Sequence, residues 1–174
     1  MLLPLLVNAL AIVMAAGSAP SSPVAGAGPG GPVALADSVV VEKRARRLTL
    51  YHLGRPFRQY RVALGGQPVG DKVSAGDRRT PEGMFYVENR NPNSDFHLAL
   101  RLSYPDVRHQ ARADSLGLSP GGDIMIHGLP PGRAKLGAQH RRFDWTDGCV
   151  ALTDEEIEEL WRAVPDGTPV EIKP

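Results

Sequence analysis

In "RLTLYHL", Leu48, Leu50 and His52 alternate with Thr49 and Tyr51. A period of two sends alternate side chains to opposite faces of an extended strand. The same short, turn-bounded pattern recurs along most of the chain. It predicts strands over Ser38–Glu42, Arg47–Leu53 and Phe57–Leu64, joined by the hairpin-like "KRAR" and "LGRP". "GGQPVGDKVSAGDRRTPEG" then reads as a long polar loop. "MFYVENR" and "FHLALRLSYP" return to strand character across the turn-rich "NPNSD". "DVRHQARADSLGL" reads as a short helix with Gly117 near its end, and "IMIH" as a short buried strand. With 19 glycines and 16 prolines in 174 residues, turns are frequent and long helices are not expected. The chain is predicted to be mostly β with short helices, an α+β class domain.

One helix is announced clearly. In "TDEEIEELWRAVPDG", Thr153 and Glu156 match a capping box. Ile157, Leu160, Trp161 and Val164 fall on one apolar face, expected to pack on the strand that starts at Cys149. "TPVEI" reads as a final strand. The core must be aliphatic, because hydrophobic residues are 42% of the chain and aromatics only 6%.

Residues 1–36 are of another kind. "MLLPLLVNALAIVMAA" is apolar and uncharged, and a Pro/Gly/Ala/Ser-rich linker follows it. The apolar run is short for a membrane span and fits the core of a secretory signal, although no Lys or Arg precedes it. Ala15-Ala16-Gly17 offers a small-residue cleavage site, and Ala34-Leu35-Ala36 a more distant one. The expectation is export to the periplasm or cell envelope, with a signal peptide or a retained N-terminal anchor. The folded domain is expected over 37–174. A net charge of +1 gives no electrostatic footprint for nucleic acid.

The chain has a single cysteine. In an exported protein it cannot form an internal disulfide, so Cys149 is either a buried apolar filler at the start of "CVAL" or a reactive thiol. A thiol attacks as thiolate, and a histidine in reach can take its proton and return it to a leaving amine. Such a thiol is expected to titrate below the free value of about 8.5. His127, at the end of "IMIH", is the candidate base. Gly148 permits a tight bend beside the nucleophile, where the Cys149 N–H and a neighbouring N–H can line an oxyanion hole. Spacing alone leaves the catalytic and the filler readings both open. His97 is the next histidine expected to face a cleft, whereas His52, His109 and His140 are expected at the surface. No His/Cys/Asp cluster has metal-ligand spacing, so no metal and no cofactor is expected.

"IMIHG", a loop, then "DWTDGCVAL" resembles the signature of bacterial L,D-transpeptidase catalytic domains, the YkuD family. The opening hairpins, "GDRRTPEGMFYV" and "PGGDIMIHG" extend the resemblance over most of the domain. It implies a mixed, β-sandwich-like fold with Cys149 as nucleophile and His127 as base. It also implies that Gly148 shapes the oxyanion hole and that the Gly128 carbonyl orients the imidazole. The implied activity is that of an exported cysteine transpeptidase acting on peptidoglycan tetrapeptide stems. A Cys thioester forms with release of D-Ala, and the acyl group passes to an amine in a 3→3 cross-link or another wall attachment. Acylation by a carbapenem is implied as well. The alternatives are a cysteine hydrolase on the same substrate, either an L,D-carboxypeptidase or an amidase, and a non-catalytic wall-binding module. Many members carry His before Gly-Cys and Arg two residues after Cys, where this chain has Asp147 and Ala151.

Further candidates for substrate contact are Trp145, Asp147, Arg133, Arg141 and Arg142. The arginines lie between the catalytic pair, on what reads as a mobile loop, and can bind the free carboxylates of a stem peptide.

Overall fold

The alternating runs become strands that share one sheet. The computed structural model describes residues 34–174, so the apolar segment and most of the linker lie outside the described residues. Ala36 already belongs to the fold: it is buried and its N–H donates to the Ala163 carbonyl at 2.8 Å.

Eight strands form the sheet: β1 (Ser38–Glu42), β2 (Arg47–His52), β3 (Arg55–Arg61), β4 (Gly83–Ser94), β5 (His97–Leu102), β6 (Met125–His127), β7 (Val150–Ala151) and β8 (Pro169–Lys173). Their order is β3-β2-β1-β8-β4-β5-β6-β7. The β1–β8 and β6–β7 pairs are parallel and the others antiparallel. The chain leaving β3, at one edge, crosses to β7 at the other. Ala63 and Ala151 exchange backbone hydrogen bonds of 3.0 and 2.8 Å, and Gly65 bridges Thr146. The sheet therefore curls until its edges meet, around Val39, Leu48, Phe85, Leu100, Ile126 and Val150. Each such side chain contributes about 1.5–3 kcal/mol through burial.

The element types follow the sequence, and the bounds differ where turn chemistry is decided by partners. "NPNS" continues β4, and the turn falls on Asp95 and Phe96. The β4–β5 register shifts between Asn91 and Ser94, which is where Pro92 can sit without breaking a ladder.

Helix α1 (Val107–Ser115) is capped by Asp106, whose carboxylate accepts the His109 N–H at 2.8 Å. Helix α2 (Asp154–Ala163) has the expected capping box between Thr153 and Glu156. Ile157, Leu160 and Val164 are buried in the core. Trp161 is only partly buried, with the Arg90 guanidinium 5.0 Å from its ring centre. The expected mobile loop between His127 and Cys149 contains a 3-10 helix, Ala134–Arg142, kinked at Gly137.

Candidate active site

Register places the two candidate groups together. In the β6–β7 pair, Ile126 is opposite Val150 and His127 opposite Ala151, so Met125 lies level with Cys149. Residues level across neighbouring strands point to one face, and so do residues two apart along a strand. Leu100, Ile126 and Val150 point inward and are fully buried. Met125 and His127 therefore point to the opposite face, while Cys149, one residue before β7, lays its Sγ against the backbone at the Met125 N–H and the Asp123 carbonyl. His127 and Cys149 are thus diagonal neighbours across two adjacent strands, with no hydrogen bond between them among the described residues.

His127 is held from both sides. Its ring centre is 4.4 Å from that of Phe96, and Trp145 stands edge-on at 5.9 Å. The Gly128 carbonyl lies 2.7 Å from Nδ1. A carbonyl only accepts, so Nδ1 carries the proton and Nε2 the lone pair. Nε2 has no hydrogen-bond partner among the described residues. Burial pushes the imidazole down to about 4, against the opposing pull of the Gly128 carbonyl. The ring is a neutral base at physiological pH. Gly128 has no room for a side chain: a Cβ would stand 2.8 Å from Asp154 Oδ1 and 2.9 Å from the Phe96 carbonyl.

Cys149 is half-buried, and its Sγ accepts the Met125 N–H at 3.4 Å and donates to the Asp123 carbonyl at 3.5 Å. Burial pushes the thiol up to about 11. The Met125 N–H favours the thiolate, and the charges of Asp147 and Asp123 oppose it. The resting pair is thus neutral thiol and neutral imidazole. Burial thus acts against the expectation of a thiol titrating below its free value, with the charge of Lys72 pulling the other way.

The turn before Cys149 is fixed by Thr146. Its buried hydroxyl donates to the Cys149 carbonyl at 2.7 Å and accepts the Gly148 N–H at 3.2 Å. The Gly148 N–H is thereby occupied. The Cys149 N–H has no partner among the described residues and is the donor left to face an oxyanion. Gly148 has φ +135° and packs against the segment Arg78–Thr80 of the long polar loop. That loop is anchored by buried Lys43, whose Nζ donates to the Gly70 and Thr80 carbonyls.

The remaining candidates separate. Trp145 lies against His127 and donates its indole N–H to His140 Nδ1 at 3.3 Å. Arg133 and Arg142 line a cavity of about 230 Å³ with Leu129, Leu136, Phe143 and Trp145. Arg141 instead is ion-paired with Glu156 of the α2 capping box, so it is a structural contact. Asp147 is exposed at the rim, 3.5 Å from Arg78. His97 is tied to Glu158 on α2 at 2.9 Å and is not brought to the thiol. His109 and His140 are buried rather than at the surface. His109 sits between Asp71 and Asp106, at 3.0 and 2.6 Å, pinning α1 to the polar loop. Sequence reasoning missed Phe96 and Thr146. Thr146 was legible as a hydroxyl two residues before a glycine turn. Phe96, on a hairpin tip, gave no signal.

A family model described as the L,D-transpeptidase catalytic domain, YkuD, matches residues 36–172. No curated protein matches the chain. Among solved structures, the chain is similar to the helical cell shape determining protein Pgp2 from Campylobacter jejuni, with 26% identity and a TM-score of 0.59 over 81% of this chain and 50% of that one. It is similar to Bd1075 from Bdellovibrio bacteriovorus, with 20% identity and a TM-score of 0.54 over 78% and 46% of the two chains. It is also similar to an L,D-transpeptidase from Mycobacterium smegmatis, with 15% identity and a TM-score of 0.51 over 78% and 58%. The chain spans about half the length of the first two.

Proposed function

Because the chain belongs to the YkuD family of L,D-transpeptidase catalytic domains, we propose that it is an exported cysteine acyltransferase acting on peptidoglycan tetrapeptide stems. The observation that carries this reading is the placement of Cys149 diagonal to His127 on the neighbouring strand, with a His127 tautomer that leaves Nε2 without a hydrogen-bond partner among the described residues.

The stem's carbonyl before the terminal D-Ala is set over Cys149. The thiol turns from the Asp123 carbonyl to Nε2 of His127 and gives up its proton as the S–C bond forms. Negative charge on the carbonyl oxygen faces the Cys149 N–H. The C–N bond then breaks, His127 returns the proton to the departing amine, and D-Ala leaves. An acceptor amine attacks the thioester, its proton passes to His127, and the thiol is regenerated as the new amide forms. A neutral resting pair suits this sequence, since charge is created only with substrate in place. The apolar segment at 1–16 supports export, which puts the enzyme on the side of the membrane where its substrate lies.

The test uses purified protein with tetrapeptide muropeptides, read by mass spectrometry. Released D-Ala with cross-linked dimers is the expected outcome, and a carbapenem is expected to leave a covalent adduct. Both should vanish in Cys149→Ala. Tripeptide without dimers would replace transfer by hydrolysis. Neither product nor adduct would overturn the cysteine chemistry.

A further inference from the structure

Next to the candidate pair stands a guanidinium with no hydrogen bond among the described residues. In the β5–β6 pair Arg101 is opposite Met125, and Ala99 opposite His127. Extending the β6–β7 register by one residue sets Arg101, Met125 and Cys149 in one row across three strands, along which the Met125 N–H points to the Cys149 Sγ. Two strand spacings, about 10 Å, separate the Cα atoms of Arg101 and Cys149. Arg101 is also the diagonal neighbour of His127, two residues along β5 from its opposite number Ala99. His127 thus stands diagonal to both the thiol and the guanidinium.

Arg101 is poorly satisfied where it lies. Its Nε is 3.3 Å from Glu88 Oε2 and its Nη1 3.3 Å from Asp123 Oδ1. Neither contact is a hydrogen bond, and Nε is buried without one. Among the described residues none of its guanidinium N–H donors makes a hydrogen bond. Arginine donors in a protein ordinarily find well-aligned acceptors, most favourably a carboxylate taken by two parallel bonds. Asp123 itself is bent into the left-handed region, φ 53°. The bend sends its carbonyl to the Cys149 thiol and its carboxylate to Arg101, so the guanidinium and the resting thiol are held by two arms of one residue.

We infer that Arg101 receives the terminal carboxylate of the amino acid that leaves when the thioester forms. This inference rests on the acyl-transfer reading above. The reach is consistent. The scissile carbonyl carbon approaches Sγ to about 3–3.5 Å, and one residue extends the chain by about 3.5 Å beyond it. The carboxylate then arrives from the Cys149 side of the same cleft while the departing amine lies over His127. It supplies the aligned acceptor that Asp123 and Glu88 do not. The donor is thereby selected as a stem that ends one residue past the scissile bond. A longer stem places a neutral peptide group, with no charge, over Arg101.

The experiment compares tetrapeptide donors ending in D-Ala or in D-Ala amide, with the wild type and Arg101→Gln, after thermal melts confirm folding. The wild type should favour the carboxylate at least about tenfold in kcat/KM, the scale of one charge-assisted pair. In Arg101→Gln that ratio should fall to near one, through loss of the carboxylate donor alone. Should Arg101→Gln fail to fold, Arg101→Lys carries the test: it keeps the charge and loses the fork, so the ratio should drop only in part. A ratio unchanged by the folded variant overturns the inference and leaves the acyl-transfer reading standing. Release of neither D-Ala nor its amide by the wild type removes that reading, and the inference with it.

Discussion

The carbonyl oxygen of Arg79 stands 2.7 Å from where a β-carbon on Gly148 would lie, and Ile124 Cδ1 stands 2.9 Å from it. The residue before Cys149 is thus clamped between the polar loop and β6's approach, at φ +135°. Gly148→Ala must move backbone or strain it, and Cys149 moves too. A loss of about 2–4 kcal/mol in stability is expected, with acylation by a carbapenem slowed by about 10²-fold or more in the folded fraction. Gly117→Ala is the control: its φ is +67° with open space around it, so it should cost about 1–2 kcal/mol and leave acylation alone. Denaturant melts and intact-mass kinetics read both.

The neutral pair predicts a broad pH profile for acylation. The reactive form needs an unprotonated His127 and a protonated Cys149. Its rate should rise through about 4, stay level across neutral pH, and bend only near 11. A thiolate–imidazolium pair would instead give limbs set by a lowered thiol value. His127→Ala should slow acylation by about 10²-fold or more and remove the acid limb. A limb surviving in that variant would assign the base to another group.

The strands and the capped helix were legible because each rests on local chemistry. Alternation in "RLTLYHL" fixes which side faces inward, and Thr153 with Glu156 closes a helix end within one turn. "IMIHG" and "TDGC" named the candidate pair through motif resemblance, since spacing alone left Cys149 open between nucleophile and filler. What stayed hidden depends on partners far away in sequence. "NPNS" reads as a turn until β5 is placed beside it. Arg141 looks like a loop cation until Glu156 meets it. Arg101 reads as an ordinary outward residue of a strand, and only the three-strand register sets it level with Cys149.

Stability should fall in acid, because the histidines of the unfolded chain charge before the buried ones do. His127 and His140 are both held near 4 by burial, with Arg141 lowering His140 further. Unfolded, each ring titrates near 6.5. Between these values the unfolded chain binds protons that the folded chain does not. Their stabilisation is complete above about pH 6.5 and is lost as pH falls toward 4, by at most about 1.4 kcal/mol per pH unit per ring. Urea melts from pH 7 to pH 4.5 should show this slope, reduced in His140→Gln. An unreduced slope would place the titration elsewhere.

The arginines between His127 and Cys149 should divide by function. Arg141→Gln removes the partner of Glu156 in the α2 capping box and should cost about 1–2 kcal/mol, with acylation intact. Arg133→Gln and Arg142→Gln should stay within about 0.5 kcal/mol of the wild type. They should weaken use of a stem donor about 10- to 100-fold in kcat/KM if the cavity beside Trp145 takes its free carboxylates. The reverse pattern would return Arg133 and Arg142 to a solvated surface and put Arg141 in the cleft.

Phe96 is the residue whose replacement most directly tests why His127 is neutral. Its ring covers the imidazole at 4.4 Å, and burial is the first cause of the low value at His127. Phe96→Ala admits water to one face of the ring while the Gly128 carbonyl still holds Nδ1–H. With desolvation relieved and that hydrogen bond kept, protonation becomes easier, because the bond favours the charged ring. The imidazole should then titrate at least about one unit higher, moving from about 4 toward 6.5. The acid limb of acylation should move with it, and the rate on the neutral plateau should change much less. The side chain is part-exposed, so the stability cost should lie below the about 3–5 kcal/mol of a fully buried phenylalanine. Imidazole resonances followed by NMR across pH 3–8 give the titration directly, and intact-mass kinetics give the limb. An imidazole that still titrates near 4 in a folded Phe96→Ala protein would mean that Trp145 and the strand bury His127 without help, and that Phe96 serves the cleft by shape alone.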